Sequence, residues 1–593
     1  MSSTDQIFKV SIGILRALKR VDLGSGANSR QVASGPAPSD ESTKTDGFED
    51  DPRFYGNDLE SSLQGQVLDY IELKEKAIGQ LAGADSFHNR SLLKKVVARF
   101  VGARETNETL RVKHPDEPLQ FLESEEELFE RLKDLTILAD VGLYREMSEM
   151  DDLKDGLLSL LFHENSDIVV QLFVVLLELL QPDSETDVSS IHNFYRILIN
   201  GGLLKGIEQY LIRLQKPNQE AQEDDVLGRR VEEEKATLDL LSSLAEIDEF
   251  ILNFSNCSDL FDSLITRIQN KEPGDLVSEN RLSCALIVQS LLSNGPLAKV
   301  LITASSVESI LNVTSTYIYK DPEPYETDKL FSECVFDVLS SISVNSRDDF
   351  LNFEGPELMI KLLRDANWAV GPALRVLKTS VRDDDGRIAN LIIESGGLKH
   401  LFKLLYKGSK GEVDDVISVL ANLLHWLPLE SPGRIRVIGK LIEKDYRAVR
   451  LLLRKRRKFC NLIGELRSRL SDSALEEKME IITELEEAGV DKQNRIDIIL
   501  AWLTVESTRI GRDVIKLLSS EPGNLFQSLR SYISELNLII RAETEEPAMP
   551  KDELEFLRME EEMVSSLVSQ MKHSLQPGYV NLQQGSYKKI ISQ

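Results

Sequence analysis

Few stretches of this 593-residue sequence carry side chains that could do chemistry. His425 stands beside Trp426 and could serve as a base, yet no nucleophile lies near it in sequence, and a base needs one to drive transfer. The seven histidines and four cysteines (Cys257, Cys284, Cys334, Cys460) are scattered, with no CxxC pair, whereas zinc requires clustered ligands. There is no phosphate-cradling glycine loop, no GxSxG elbow and no HExxH pair. The sequence therefore predicts a protein that is not an enzyme and takes no metal or cofactor. Its cysteines read as buried free thiols of a reducing compartment.

Binding chemistry is what remains. "RKRRK", residues Arg454, Lys455, Arg456, Arg457 and Lys458, is the one basic run. It reads as a nuclear localisation signal or a nucleic-acid contact. It reads equally as the solvated face of a helix whose other face carries Leu451, Leu452, Leu453 and Phe459. Asn422 and Trp426 are four residues apart and so share a helix face. An Asn amide there can bond the backbone of an extended peptide, and an indole can cover the aliphatic stem of Lys or Arg. Asn367 and Trp368 open the equivalent helix one repeat earlier. These four residues form the candidate peptide groove; ordinary packing and capping is the competing reading.

The formal charge of −28 argues against a general nucleic-acid surface, because phosphate contacts need clustered Lys and Arg. An acidic chain attracts basic peptides, although the same charge also keeps a Leu-rich protein in solution. The longest apolar run, "IVVQLFVVLLELL" at 168–180, is interrupted by Gln171 and Glu178, too short and too polar for a membrane span. The apolar run near the N-terminus has charge on both sides and no small-residue cleavage site, so no signal peptide is expected.

The elements that must position these residues are helices. Residues 1–57 are rich in Gly, Ser, Asp and Pro, cannot bury enough surface to offset their ordering entropy, and are expected to be a disordered tail. Residues 58–90 read as a helical extension, with Leu59, Leu63, Val67, Tyr70 and Ile71 on one face. Over 91–540 the helical period is almost continuous. "GGLLKGIEQYL" at Gly201, "EGPELMIKLLRD" at Glu354 and "GGLKHLFKLLYK" at Gly396 share one layout, and residues 151–180 repeat it without the glycines. Leu362-Leu363 and Leu404-Leu405 stand 42 residues apart, the period of armadillo and HEAT repeats. A lone hairpin cannot cover both apolar faces, so such units stack. The expected fold is all-α: an armadillo/HEAT-type right-handed superhelical solenoid with degenerate repeats. An acidic insertion at 215–235 interrupts it, and residues 541–593 form a C-terminal helix and tail.

Residues 91–183 carry a more specific signal: Lys94-Lys95 before an apolar helix, "NETLRVKHPDEPLQFLESEEEL", the Leu143-Tyr144 pair and "LLSLLFHENSDIVV". This block resembles the beta-catenin-like protein 1 family, and the likeness continues more weakly to about residue 460. The resemblance implies a nuclear, non-enzymatic armadillo scaffold of the spliceosome. Its implied partners are the Myb-domain subunit of the Prp-nineteen splicing complex, gripped by basic localisation-type segments, other spliceosomal proteins, and a second copy of the chain. It implies neither sequence-specific nucleic-acid binding nor a membrane. Family members often carry a basic motif near the N-terminus, where this sequence has only "LKR" at 18–20. The alternative is a karyopherin-alpha-like transport adaptor. That reading calls for regular Trp–Asn pairs and an Arg-rich N-terminal arm, and the sequence has neither.

Deleting residues 1–57 is expected to leave the melting temperature nearly unchanged, since the segment has little apolar surface to bury. A large drop in a thermal melt would show that the tail packs on the helices.

Overall fold

The computed structural model describes residues 86–574, apart from 182–187, 216–223, 246, 272–275, 383–384, 473–474 and 546–550. The expected tail at 1–57, the extension before residue 86 and the segment after 574 lie outside the described residues. Among those residues every regular element is a helix and there is no strand. The chain forms two compact units, one ending at Asn253 and one beginning at Phe254.

In the first unit the long helix Ser86–Lys113 lies against helices Leu122–Asp134 and Asp151–Leu160. Helix Ser166–Leu180 is the centre of this unit, packed between Leu122–Asp134 and Asp224–Leu244. It buries Ile168, Val169, Leu172, Phe173, Val175, Leu176 and Leu179, and the Asn165 side chain caps it by accepting from the Asp167 amide. The expected acidic insertion is helical from Asp224 onward, because Leu238, Leu240, Leu241 and Leu244 give it an apolar stripe to bury.

The second unit contains the two repeats read from the sequence at Glu354 and Gly396, while the copies at 151–180 and Gly201 lie in the first. A short helix, Arg347–Asn352, is followed by Gly355–Asp365 and Val370–Ser380. The next copy runs Arg387–Glu394, Gly397–Lys407 and Lys410–Trp426. The paired glycines divide two tasks between them. Gly396 takes a left-handed backbone (φ 78°), and a Cβ on Gly397 would sit 2.6 Å from the Ile392 carbonyl oxygen. One repeat earlier Glu354 occupies the left-handed position (φ 57°), and only the second glycine is kept. Gly355 cannot be given up, because a Cβ there would lie 2.2 Å from the Phe350 ring.

The third helices of successive repeats stack side by side: Glu279–Leu292, Glu326–Asn345, Val370–Ser380, Lys410–Trp426 and then Val490–Glu506. Helix Lys551–Ser574 follows as the last rung, packed on Val490–Glu506 and Leu525–Glu545. Between rungs, helix Pro432–Asp472 is broken at Glu443–Tyr446, where Lys444, Asp445 and Tyr446 adopt left-handed angles (φ 54°, 54° and 57°). Such a turn costs strain for non-glycine residues. Here Arg450 donates to the Asp445 carbonyl and carboxylate (3.0 and 2.7 Å) and the Tyr446 hydroxyl donates to Asp513 (2.8 Å). Among the described residues no single helix is long and apolar enough to cross a membrane.

Two glycines in this unit should respond oppositely to alanine. Gly355→Ala forces the Cβ into the Phe350 ring and is expected to cost about 1–3 kcal/mol. Gly439, exposed within a helix and with nothing within 4 Å of a Cβ, should gain about 0.5–1 kcal/mol as alanine. Urea denaturation checks both signs.

Candidate peptide-binding ladder

The stacked third helices of the second unit present a continuous ladder of polar side chains. The Gln289 amide donates to Asp337 (3.0 Å), and the Cys334 thiol donates to the Gln289 side-chain oxygen (3.1 Å), joining two rungs. Glu333 lies exposed one helical turn before Asp337, so the two carboxylates share a face. Burial pushes the Asp337 carboxyl up to about 6, opposed by Arg375 on the next rung, assisted by Glu333 and opposed by the Gln289 bond. Further along, Lys378 pairs with Asp415 (3.0 Å), while Lys455 and Lys492 both reach Asp414 (3.1 Å each). The far end of helix Lys410–Trp426 is closed by Arg434. Its buried guanidinium donates to the Leu424 and Leu427 carbonyls, pairs with Glu506 (3.0 Å) and lies 4.6 Å from the Trp502 ring centre.

The two Asn–Trp pairs occupy different settings. Asn367 donates its amide to Asp321 (2.8 Å), and the Trp368 backbone amide donates to the same carboxylate (3.1 Å). The Trp368 ring packs on Tyr317 and Phe336, with centroids 5.7 and 6.0 Å away. This pair ties a helix start to the preceding loop, the packing and capping reading. Asn422 and Trp426 do share a face, as the spacing requires, but the last helix lies over it. They line a small cleft with Arg382, His425 and Arg495 beneath Phe556, Met559, Glu560 and Met563. The Trp426 indole donates to the Arg382 carbonyl (3.3 Å), the Arg382 guanidinium lies 3.8 Å from the Phe556 ring centre, and Arg495 is ion-paired with the buried Glu560. A basic peptide laid along Asn422 and Trp426 would meet two arginines, so the surroundings of this pair do not favour the basic ligand expected from the sequence.

The basic run is woven into the fold. Lys455 reaches Asp414, Arg456 is buried against Asp497 and donates to the Pro522 carbonyl (2.8 Å), and Arg457 makes a two-pronged contact with Glu521 (2.8 and 2.6 Å). Arg454, Arg457 and Lys458 are the exposed members. A receptor that reads an extended basic strand would have to unwind this helix. The flanking leucines that competed with the localisation reading decide the local structure, with Leu452 and Leu453 buried.

A cluster in the first unit escaped sequence reasoning, although its residues stood inside the most distinctive block. Asn107 donates to Ser124 (2.9 Å) and its oxygen faces the His163 Nε2 (3.2 Å). Asn165 donates to Glu125 (2.9 Å), while Arg111 pairs with Glu125 and Glu164 and covers the Phe121 ring at 4.6 Å. Burial first, and the neighbouring Arg111 second, lower the His163 pKa and favour a neutral imidazole that can share the Asn107 amide. "NETLR" and "HENSD", together with Ser124 and Glu125, supply this network from two helices and the turn that precedes a third.

Among the described residues no group of His, Cys, Asp and Glu could hold a metal. Cys257, Cys284 and Cys334 are buried and Cys460 is half-buried.

Comparison with known proteins adds four findings. A family model described as "Catenin-beta-like, Arm-motif containing nuclear" matches residues 65–534. The beta-catenin-like protein 1 homolog of Schizosaccharomyces pombe is 25% identical over 556 residues, covering 89% of this chain and 92% of the relative. Beta-catenin-like protein 1 of Homo sapiens is 26% identical over 387 residues, 62% of this chain and 65% of the relative. Among solved structures, a designed armadillo repeat protein in complex with peptide (KR)4 aligns at a TM-score of 0.29 and 16% identity, covering 41% of this chain and 95% of that one.

Asp337 makes the ladder sensitive to pH in a defined direction. Its folded pKa of about 6 lies above the ordinary carboxyl value, so its contribution to stability is fully present below about pH 4 and is lost as the pH rises through 6. Asp337→Asn keeps an acceptor for Gln289 and removes the buried charge. It should raise stability at pH 7.5 by about 1–2 kcal/mol, with the gain vanishing at pH 4. Calorimetry at the two pH values measures it; a loss at pH 7.5 would mean that Arg375 repays the ionised carboxylate in full.

Proposed function

The chain belongs to the catenin-beta-like family of Arm-motif-containing nuclear proteins, and from that premise we propose that it is a nuclear scaffold of the pre-mRNA splicing machinery that grips basic segments of splicing factors. The family match over residues 65–534 carries this reading. The Myb-domain subunit of the Prp-nineteen complex is the proposed partner, held through its localisation-type basic stretches.

Two features support a basic ligand. The net charge of −28 draws cationic segments toward the chain over a distance of about 8–10 Å at physiological salt. On the ladder, Glu333 and Asp337 offer carboxylates one turn apart beside the Gln289 amide. Attraction alone selects nothing; directional bonds must add to it. We therefore move the proposed contact for basic segments from Asn422 and Trp426 to Glu333 and Asp337. A Lys or Arg seated there stabilises the ionised Asp337, so binding releases a proton near pH 6 and tightens as the pH rises through that value.

Purification of the tagged full chain from nuclear extract tests the reading. Spliceosomal proteins should accompany it and should be lost as salt is raised. Recovery of import receptors without splicing proteins would overturn the scaffold in favour of a transport adaptor.

A further inference from the structure

The last helix, Lys551–Ser574, is anchored unequally along its length. In its second half Val564, Leu567, Val568 and Met571 are between 0 and 6% exposed, a true core contribution. In its first half Phe556 and Met563 are only half-buried, Met559 is 37% exposed, and Glu555, Arg558 and Glu562 face solvent. That half nevertheless presents a ligand-like pattern to the Asn422–Trp426 face. Phe556, Met559, Glu560 and Met563 stand at i, i+3, i+4 and i+7, the spacing by which an amphipathic helix docks in a groove. The receiving face complements it in charge: Arg382 stacks on the Phe556 ring and Arg495 pairs with Glu560, with Trp426, His425 and Ile498 between them.

We propose that residues 551–563 are a displaceable occupant of this face, and that the face takes in their place an acidic amphipathic helix of a partner protein carrying an aromatic residue, methionines and a glutamate at the same spacing. The occupant's chemistry is set by the two arginines: a basic segment placed here would take Glu560 from Arg495, leaving it Asp491 alone, and would set like charge against Arg382. The anchored second half keeps the first half at high effective concentration, so a partner helix gains access only in the fraction of molecules in which residues 551–563 have lifted. This surface is separate from the carboxylates proposed for basic segments and does not depend on that assignment.

The test uses the full chain and a fluorescein-labelled synthetic peptide with the sequence of residues 551–566. Phe556→Ser combined with Glu560→Gln removes the ring from Arg382 and the charge from Arg495. The released variant should bind the peptide at least tenfold more tightly than the parent, and adding Arg382→Glu should abolish the gain. Equal affinity of parent and released variant would overturn the proposal. So would preference of the released variant for a Lys/Arg-rich peptide of the same length. A released variant that forms a concentration-dependent dimer and ignores the peptide would assign the face to a second copy instead. Hydrogen exchange on the unaltered chain gives an independent reading should the released variant fail to fold. Amides 553–559 should exchange at least tenfold faster than amides 564–571, and equal protection of the two halves would overturn the proposal.

Discussion

A helical repeat has more apolar surface than it can cover alone, and in the second unit each third helix buries its surface against the next one. Everything else in that unit answers this constraint. Gly355 and Gly397 exist so that the helix they open can close on its predecessor without a Cβ in the way. The helix ends between rungs cannot be left with bare carbonyls, and Arg434 supplies the missing donors while Glu506 and the Trp502 ring balance its charge. The stack must also end on something other than another repeat. Helix Lys551–Ser574 does this, giving one apolar stripe to Val490–Glu506 and Leu525–Glu545 and leaving Glu555, Arg558 and Glu562 to water.

The same constraint explains what could be read from the chain before its structure. Leucine pairs 42 residues apart and glycines at helix starts are local marks of stacking, so the all-α repeat architecture was legible. Spacing within one helix places Asn422 and Trp426 on a common face, and the structure agrees. What lies above that face is set by a helix more than a hundred residues later, which no local pattern announces. "RKRRK" left two readings open for a related reason. A run of five cations looks exposed in sequence, yet Asp414, Asp497 and Glu521, each more than thirty-five residues distant, absorb three of them. Long-range charge pairing is invisible to composition. The Asn107–His163–Asn165–Glu125 network shows an intermediate case: the block that holds it stands out in the sequence, and only the fold shows which of its residues meet.

Net charge is likewise a property of the chain and a poor guide to any one face. The sum of −28 coexists with two arginines at the Asn422–Trp426 face, one stacked on an aromatic ring and one paired with a buried carboxylate. A surplus of acid elsewhere does not set the field there, because charges more than a Debye length away are screened in solvent. What a ligand feels at a half-buried site is set by the groups within a few ångströms.

The ladder therefore carries two opposed chemistries on different rungs. Glu333 and Asp337 belong to helix Glu326–Asn345, whereas Arg382 follows helix Val370–Ser380 and Arg495 lies within Val490–Glu506. A partner with a basic stretch followed by an acidic amphipathic helix would find complementary charge in only one orientation along the rungs, since reversal would set like charge against like at both ends. Such polarity cannot come from a uniformly acidic groove, which holds a cationic strand in either direction. Residues 551–563 already impose it within the chain, by placing Glu560 on Arg495 and Phe556 on Arg382 in a fixed order. The capping helix that the stacking requires is thus also the element that shows which way, and with which charge, a helix lies on these last rungs.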